Sequence, residues 1–162
     1  MDTVRVGVGC FVLNDRGQFI TGIRKGSHGS GKSPPPSPSA SSRSLCLGES
    51  FQQCATRELF EETGISLDST TATTIEFLTA TNDVFDQPGG ERVKHYVTIF
   101  VVCRIGKTSV EPRVMEPDKC QAWKWTTWAE LRRLANADNG AQLFLPLKNL
   151  IKQRPDVVSA LA

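Results

Sequence analysis

Residues 49–65 constrain this chain more than any other stretch, because they specify both ends and both faces of one helix. Ser50 and Gln53 make an S-x-x-Q capping box, which starts a helix by satisfying its first N–H groups. Gly64 is placed to end it in the left-handed conformation. Phe51, Cys54, Ala55 and Leu59 recur at helical spacing, so one face is apolar and has to be buried. On the other face Glu58, Glu61 and Glu62 stand at i, i+3 and i+4, which brings three carboxylates together. Like charges so spaced repel by roughly a few tenths of a kcal/mol per pair, and the helix dipole disfavours anions near a C-terminus. Arg57 offsets part of this repulsion. A hard divalent cation does so better, because Mg²⁺ accepts carboxylate oxygens and keeps waters and substrate phosphates as its other ligands. Three glutamates taken alone are more often a solvated acidic face.

The rest of the chain alternates strand and helix. Residues 4–13 read as a buried strand, and Asn14-Asp15-Arg16-Gly17 is turn chemistry. Residues 18–24 return as a second strand, so 4–24 is expected to be a β-hairpin. Strands are also expected over 74–81, 95–105 and 120–125, the second being the richest in β-branched and aromatic residues. Thr127-x-x-Glu130 predicts a capped helix over 128–135, and Pro146 opens another over 146–153. This order implies an α/β fold, layered as a sandwich around a mixed sheet. The length of 162 residues fits a single domain over 1–162. One stretch does not fit. Residues 33–44 read Ser-Pro-Pro-Pro-Ser-Pro-Ser-Ala-Ser-Ser-Arg-Ser, a low-complexity composition expected to form neither helix nor strand.

Composition excludes several classes. A net charge of +2 argues against a nucleic-acid polymer partner or a polybasic membrane binder. No apolar run approaches the ~20 residues that a membrane helix needs. Five cysteines, none in a CxxC pair, argue against a zinc knuckle and a disulfide framework and for a reducing compartment. We see no signal peptide and expect a soluble, cytoplasmic protein.

The helix segment also resembles the Nudix hydrolase signature, G-x5-E-x7-R-E-U-x-E-E-x-G-U, where U is a bulky apolar residue. Glu49, Arg57, Glu58, Leu59, Glu61, Glu62, Gly64 and Ile65 match at the required spacing. The likeness extends through Val6-Gly7-Val8-Gly9, Arg24-Lys25-Gly26-Ser27, His95-Tyr96-Val97-Thr98, Glu116-Pro117-Asp118-Lys119-Cys120, Trp123 and Trp125. These are similar to the small cytosolic Nudix enzymes of plants and animals that act on nucleoside triphosphates, including oxidised dGTP.

The resemblance implies a Nudix-type α/β/α sandwich. It implies hydrolysis inside a polyphosphate chain, releasing a nucleoside monophosphate and diphosphate. The implied cofactor is Mg²⁺, with Mn²⁺ as the alternative. Glu58 and Glu62 are the first metal ligands, and Glu61 is a further ligand or the base. Arg57 holds the glutamates in place, with Glu49 acting through water or by pairing Arg57. Arg24 and Lys25 are candidates for the polyphosphate tail, against the plain reading of a charged strand end. Thr98, Phe144 and Leu147 belong to the implied substrate contacts. Trp123, Trp125 and Phe144 are candidates to stack a base, although core packing is the commoner fate of such aromatics. His95 is expected to be structural, and His28 has no assigned role. A homodimer is the implied assembly.

The signature fails at one point. Its first glycine falls at position 43, which is Arg43, and residues 33–47 replace a glycine-bearing loop with a longer segment lacking glycine. The missing strand is expected to leave neighbouring backbone groups unpaired. Either the loop has diverged in an impaired domain, or the coding sequence runs through a wrong reading frame or unspliced junction. The abrupt composition change favours the second, and a transcript read across codons 32–48 decides. Three functional readings follow: a nucleoside-triphosphate diphosphohydrolase, a hydrolase of a prenyl diphosphate or pterin triphosphate, and a nucleotide-binding domain without turnover.

Overall fold

Strand β1 (Arg5–Leu13) is buried on both faces from Gly7 onward, and the other elements are assembled on it. The computed structural model describes residues 3–24, 38–39, 41–67, 72–85, 94–106, 110–137 and 143–160. Along one edge β1 runs parallel to β6 (Lys94–Ile105), with Gly7 opposite Thr98 and Phe11 opposite Val102. β6 in turn pairs antiparallel with β5 (Ala72–Phe85), which carries two register shifts. β2 (Phe19–Arg24) pairs with the two-residue β3 (Pro38–Ser39) and with β7 (Cys120–Thr126). The sheet is mixed, as the α/β reading expects.

Alternation along β1 and β6 sends successive side chains to opposite faces. Val8, Cys10, Val12, Val101, Cys103 and Ile105 face α1 (Phe51–Thr63), which contributes Cys54, Ala55 and Leu59. Phe11, Leu13, Phe100 and Val102 face α2 (Trp128–Asn136) and α3 (Leu145–Gln153), which contribute Trp128, Leu131, Leu147 and Leu150. Phe11 lies edge-on to Phe19 at 5.3 Å and stacks on Phe100 at 5.5 Å. Burying each such ring stabilises the fold by about 1.5–3 kcal/mol. Helices cover both faces, and this is why β1 reads as a nearly continuous apolar run.

Three expectations need correction. The described part of residues 33–44 does form strands: besides β3, residues Ser41–Ser44 make β4, antiparallel to β1 with Gly7 opposite Ser44 and Cys10 opposite Ser41. The backbone of β1 is therefore paired where a missing strand was expected to leave it open. Backbone hydrogen bonding to an existing strand overrides side-chain composition here, because the ladder needs no particular side chain. The 4–24 hairpin closes only at Leu13 opposite Phe19; beyond the turn β1 goes to β4 and β2 to β7. β5 is also longer than the expected 74–81. A short α4 (Pro155–Ala160) follows α3. No helix among the described residues is long and apolar enough to cross a membrane.

Gly22 on β2 lies under Trp123 of β7, and a Cβ there would meet the ring at 2.7 Å. Gly22→Ala is expected to destabilise the fold by about 1–3 kcal/mol. Urea unfolding measures this, and the Trp123→Leu background is expected to remove most of the penalty.

Candidate active site

The helix that carries the carboxylates is fixed at both ends. Ser50 Oγ accepts from the Gln53 N–H at 3.1 Å, and the Ser50 N–H donates to Gln53 Oε1 at 2.8 Å. At the far end Gly64 takes φ of 71° and its N–H donates to Phe60 O at 2.8 Å. The segment after β6 satisfies two further carbonyls: the Arg113 N–H reaches Thr63 O at 2.8 Å and the Met115 N–H reaches Glu62 O at 3.3 Å. Terminal carbonyls of a helix need such partners. Here they also hold the turn bearing Glu61 and Glu62.

Arg57 is the hub of this helix. Its Nε donates to Glu49 Oε1 at 2.8 Å and its Nη2 to Glu49 Oε2 at 2.9 Å, a two-pronged contact with the carboxylate. Its Nη1 donates to Glu58 Oε1 and lies 3.6 Å from Glu61 Oε2. Glu49 also accepts the Cys46 N–H at 3.1 Å. The Arg57 hydrogen bond holds the Glu49 carboxyl well below its usual 4.5, at about 2, with the Cys46 N–H helping and desolvation opposing. Hydrogen bonds to Glu49 and then Glu58 raise the Arg57 guanidinium, which stays charged.

Glu58 is not on a solvated face. It is 2% exposed, whereas Glu61 is exposed and Glu62 lies between. Its position explains this: Glu58 is four residues after Cys54 and three after Ala55, so it continues the buried stripe. Among the described residues no three His, Cys, Asp or Glu side chains converge into a closed metal cage. Mg²⁺ needs only one or two carboxylates, completing its shell with waters and phosphates. Glu58 and Glu62, one turn apart and both hard oxygen donors, fit that requirement.

The remaining sequence candidates lie elsewhere. Thr98 is buried on β6, and Leu147 is fully buried in the core beside α2 and β1. Phe144 precedes α3 and packs near Phe85. Arg24 ends β2 with its backbone opposite Cys120, and Lys25 and His28 lie outside the described residues. Trp123 and Trp125 pack against the core cluster under α1. The His95 ring meets Asn82 Oδ1 at 2.5 Å, joining the two strands.

A second polar group escapes the sequence reading. Asp83 of β5 is fully buried. Its Oδ2 accepts from Thr81 at 3.0 Å and Thr98 at 2.5 Å, and its Oδ1 accepts from Asn149 of α3 at 2.7 Å. Two residues along the same strands, Phe85 and Tyr96 meet edge to face at 5.7 Å, with the Phe144 ring 6.1 Å from Phe85. The run Thr81-Asn82-Asp83-Val84-Phe85 carried a signal: period two puts Thr81, Asp83 and Phe85 on one face. The two groups approach one end of β1 from opposite edges. Thr98 pairs with Gly7 there, while Leu45, just before the Glu49 turn, donates its N–H to Val6 O at 3.0 Å.

The family model for the NUDIX domain matches residues 3–147. Among solved structures, a MutT NUDIX hydrolase from Burkholderia pseudomallei is 25% identical with a TM-score of 0.59, covering 80% of this chain and 87% of its own. A NUDIX hydrolase from Nitrosomonas europaea aligns over 98% of this chain and 90% of its own, with 17% identity and a TM-score of 0.64. A MutT protein from Methanosarcina mazei Go1 aligns over 99% and 94%, with 16% identity and a TM-score of 0.61.

The Glu49 pair has a pH signature. Because its folded-state pKa is depressed, its stabilisation is complete above about pH 4.5 and lost as pH falls towards 2. The stability gap between the wild type and Glu49→Gln is therefore expected to be constant above about pH 5 and to close by about pH 2 in a chemical-denaturation series.

Proposed function

The chain belongs to the NUDIX domain family and hydrolyses phosphoanhydride bonds, and from that premise we propose that it is a Mg²⁺-dependent nucleoside-triphosphate diphosphohydrolase. Oxidised dGTP is the kind of substrate in view, with nucleoside monophosphate and diphosphate as products. The observation that carries this reading is the Arg57 hub, which sets Glu58 and Glu61 around one guanidinium on a helix fixed at both ends.

Glu58 and Glu62 are the residues that would hold the cation. When bound, it supplies neutralisation of phosphoryl oxygens and a water of lowered pKa. The protein's own part is positional. Arg57, anchored on Glu49, fixes the Glu58 carboxylate and keeps one oxygen of it engaged. Glu61, the exposed one of the three, is open to a water and is the candidate to take its proton. Preorganised charge of this kind acts on the transition state without reorganising during the reaction.

The nucleoside part is supported by the second group. Phe85, Tyr96 and Phe144 are half-buried aromatics beside the hydrogen-bonded Asp83, Thr98 and Asn149. A heterocycle offers a π face and polar edges to such a surface; a prenyl chain offers apolar surface without polar edges. Arg24 and Lys25 remain the candidates for the phosphate tail.

Release of monophosphate from a panel of nucleoside triphosphates and a prenyl diphosphate, with Mg²⁺ and with chelator, tests the assignment. Glu58→Gln and Glu62→Gln are each expected to lower kcat by at least about a hundredfold while the fold, read by circular dichroism, is retained. A well-folded wild type that turns over no diphosphate would sink the hydrolase reading. Phe144→Ala is expected to raise KM for the preferred triphosphate about tenfold with little change in kcat. A prenyl diphosphate used better than every triphosphate would overturn the nucleoside assignment alone.

A further inference from the structure

All five cysteines are unlinked thiols. Cys10 and Cys103 are sealed in the core under α1, and Cys120 is buried, with its Sγ 3.3 Å from Ala122 O. The other two meet at the hub. Cys46 Sγ and Cys54 Sγ each lie 3.7 Å from the same atom, Arg57 Nη2. They differ in access: Cys46 is exposed, and Cys54 is fully buried on α1. Two sulfurs that share one nitrogen as a 3.7 Å neighbour stand at most about 7.4 Å from each other, so a shift of the Cys46 turn can bring them together.

The turn carrying Cys46 can supply that movement. Leu47 beside it is fully solvent-exposed. Gly48 has φ of 81°, and nothing lies within 4 Å of where its Cβ would be. Hydrogen bonds hold the turn: Glu49 N–H to Cys46 O at 3.1 Å, and Cys46 N–H to Glu49 Oε2 at 3.1 Å. The second of these uses the carboxylate that anchors Arg57. The position of Cys46 is thereby tied to the geometry of the hub.

We propose that Cys46 and Cys54 form a thiol modification site that takes a low-molecular-weight disulfide and closes into a Cys46–Cys54 bond. Cys46, the accessible thiol of the two, enters first. Its thiolate attacks one sulfur of the small disulfide, whose S–S bond breaks; a mixed disulfide forms and one small thiolate leaves. Cys54, its thiol pushed up to about 12 chiefly by burial, does not meet the reagent itself. Once the turn has moved, Cys54 gives its proton to solvent and attacks the Cys46 sulfur, releasing the second small thiol. Two protein thiols are oxidised and one small disulfide is reduced to two thiols. A disulfide needs Cα atoms about 4.4–6.8 Å apart and sulfurs about 2.0 Å apart. Closing draws Cys46 towards α1, takes its N–H off Glu49 and loosens the fork on Arg57. This consequence for turnover rests on Arg57 positioning the carboxylates, as proposed above; the bond itself does not.

The test treats the reduced, folded full-length protein with glutathione disulfide, removes the reagent, blocks remaining thiols by alkylation in denaturant and maps peptides by mass spectrometry. The expected product has lost two hydrogens, with Cys46 linked to Cys54 and the other three cysteines alkylated. Cys54→Ser is expected to stop at the mixed disulfide on Cys46, and Cys46→Ser to leave every thiol alkylated. Because Cys46 is exposed, that variant keeps the test decisive should Cys54→Ser not fold. A folded wild type in which Cys46 and Cys54 never link, or link only after unfolding in urea, overturns the proposal. On a substrate that the reduced enzyme turns over, oxidation is expected to lower the rate about tenfold or more, with recovery in dithiothreitol. A linked protein of unchanged rate overturns the coupling to the hub. If the reduced enzyme turns over nothing, the peptide map still decides the thiol pair, while the hydrolase reading fails by itself.

Discussion

The contact between Arg57 and Glu49 is the constraint on which the candidate site depends. Carboxylates at i, i+3 and i+4 repel, and near a helix C-terminus they also oppose the dipole. A lysine would supply the charge but not the geometry. The planar guanidinium holds Glu49 with two parallel hydrogen bonds and still has a nitrogen to spare for Glu58 and Glu61. Glu49 belongs to the turn before the helix, so the same contact also ties that turn to the body of α1.

The segment before this turn shows how far a fold can tolerate a change of composition. A serine-rich stretch stands where a glycine-bearing loop is expected, yet its backbone completes the ladder beside β1 from Gly7 to Cys10. A strand needs its N–H and C=O groups in register more than it needs preferred side chains, and β1 supplies the template. The chemistry is less forgiving than the ladder. The signature has a glycine at the position of Arg43, and glycine is the residue that lets backbone approach a metal or phosphate most closely. The sheet is restored by a substitute that does not restore the glycine.

Much of the molecule was legible because its signals are local. Ser50 with Gln53, Gly64, and Thr127 with Glu130 declare helix ends within four residues, and each forms the cap that its spacing implies. The β-branched run in β6 likewise forms its strand. What was not legible depended on partners far along the chain. β4 exists only because β1 is there to pair with it. The apparent 4–24 hairpin separates because β4 and β7 compete for its two strands. Asp83 looks like an ordinary strand-end residue until Asn149 arrives from α3, 66 residues away. The burial of Glu58 follows from its place after Cys54 and Ala55 on one helix stripe, a signal that runs against the acidity of its side chain.

The same contrast between near and far contacts has a kinetic meaning. The hub joins residues eight apart, Glu49 and Arg57, within one turn and one helix. Such short loops close quickly and cost little chain entropy. The Asp83 group joins β5, β6 and α3, and needs most of the chain in place. A molecule that opens at α3 therefore loses the surface that would select a substrate while keeping the helix that would cleave it. On the proposed reading, partial unfolding would make the enzyme less discriminating before it made it inert.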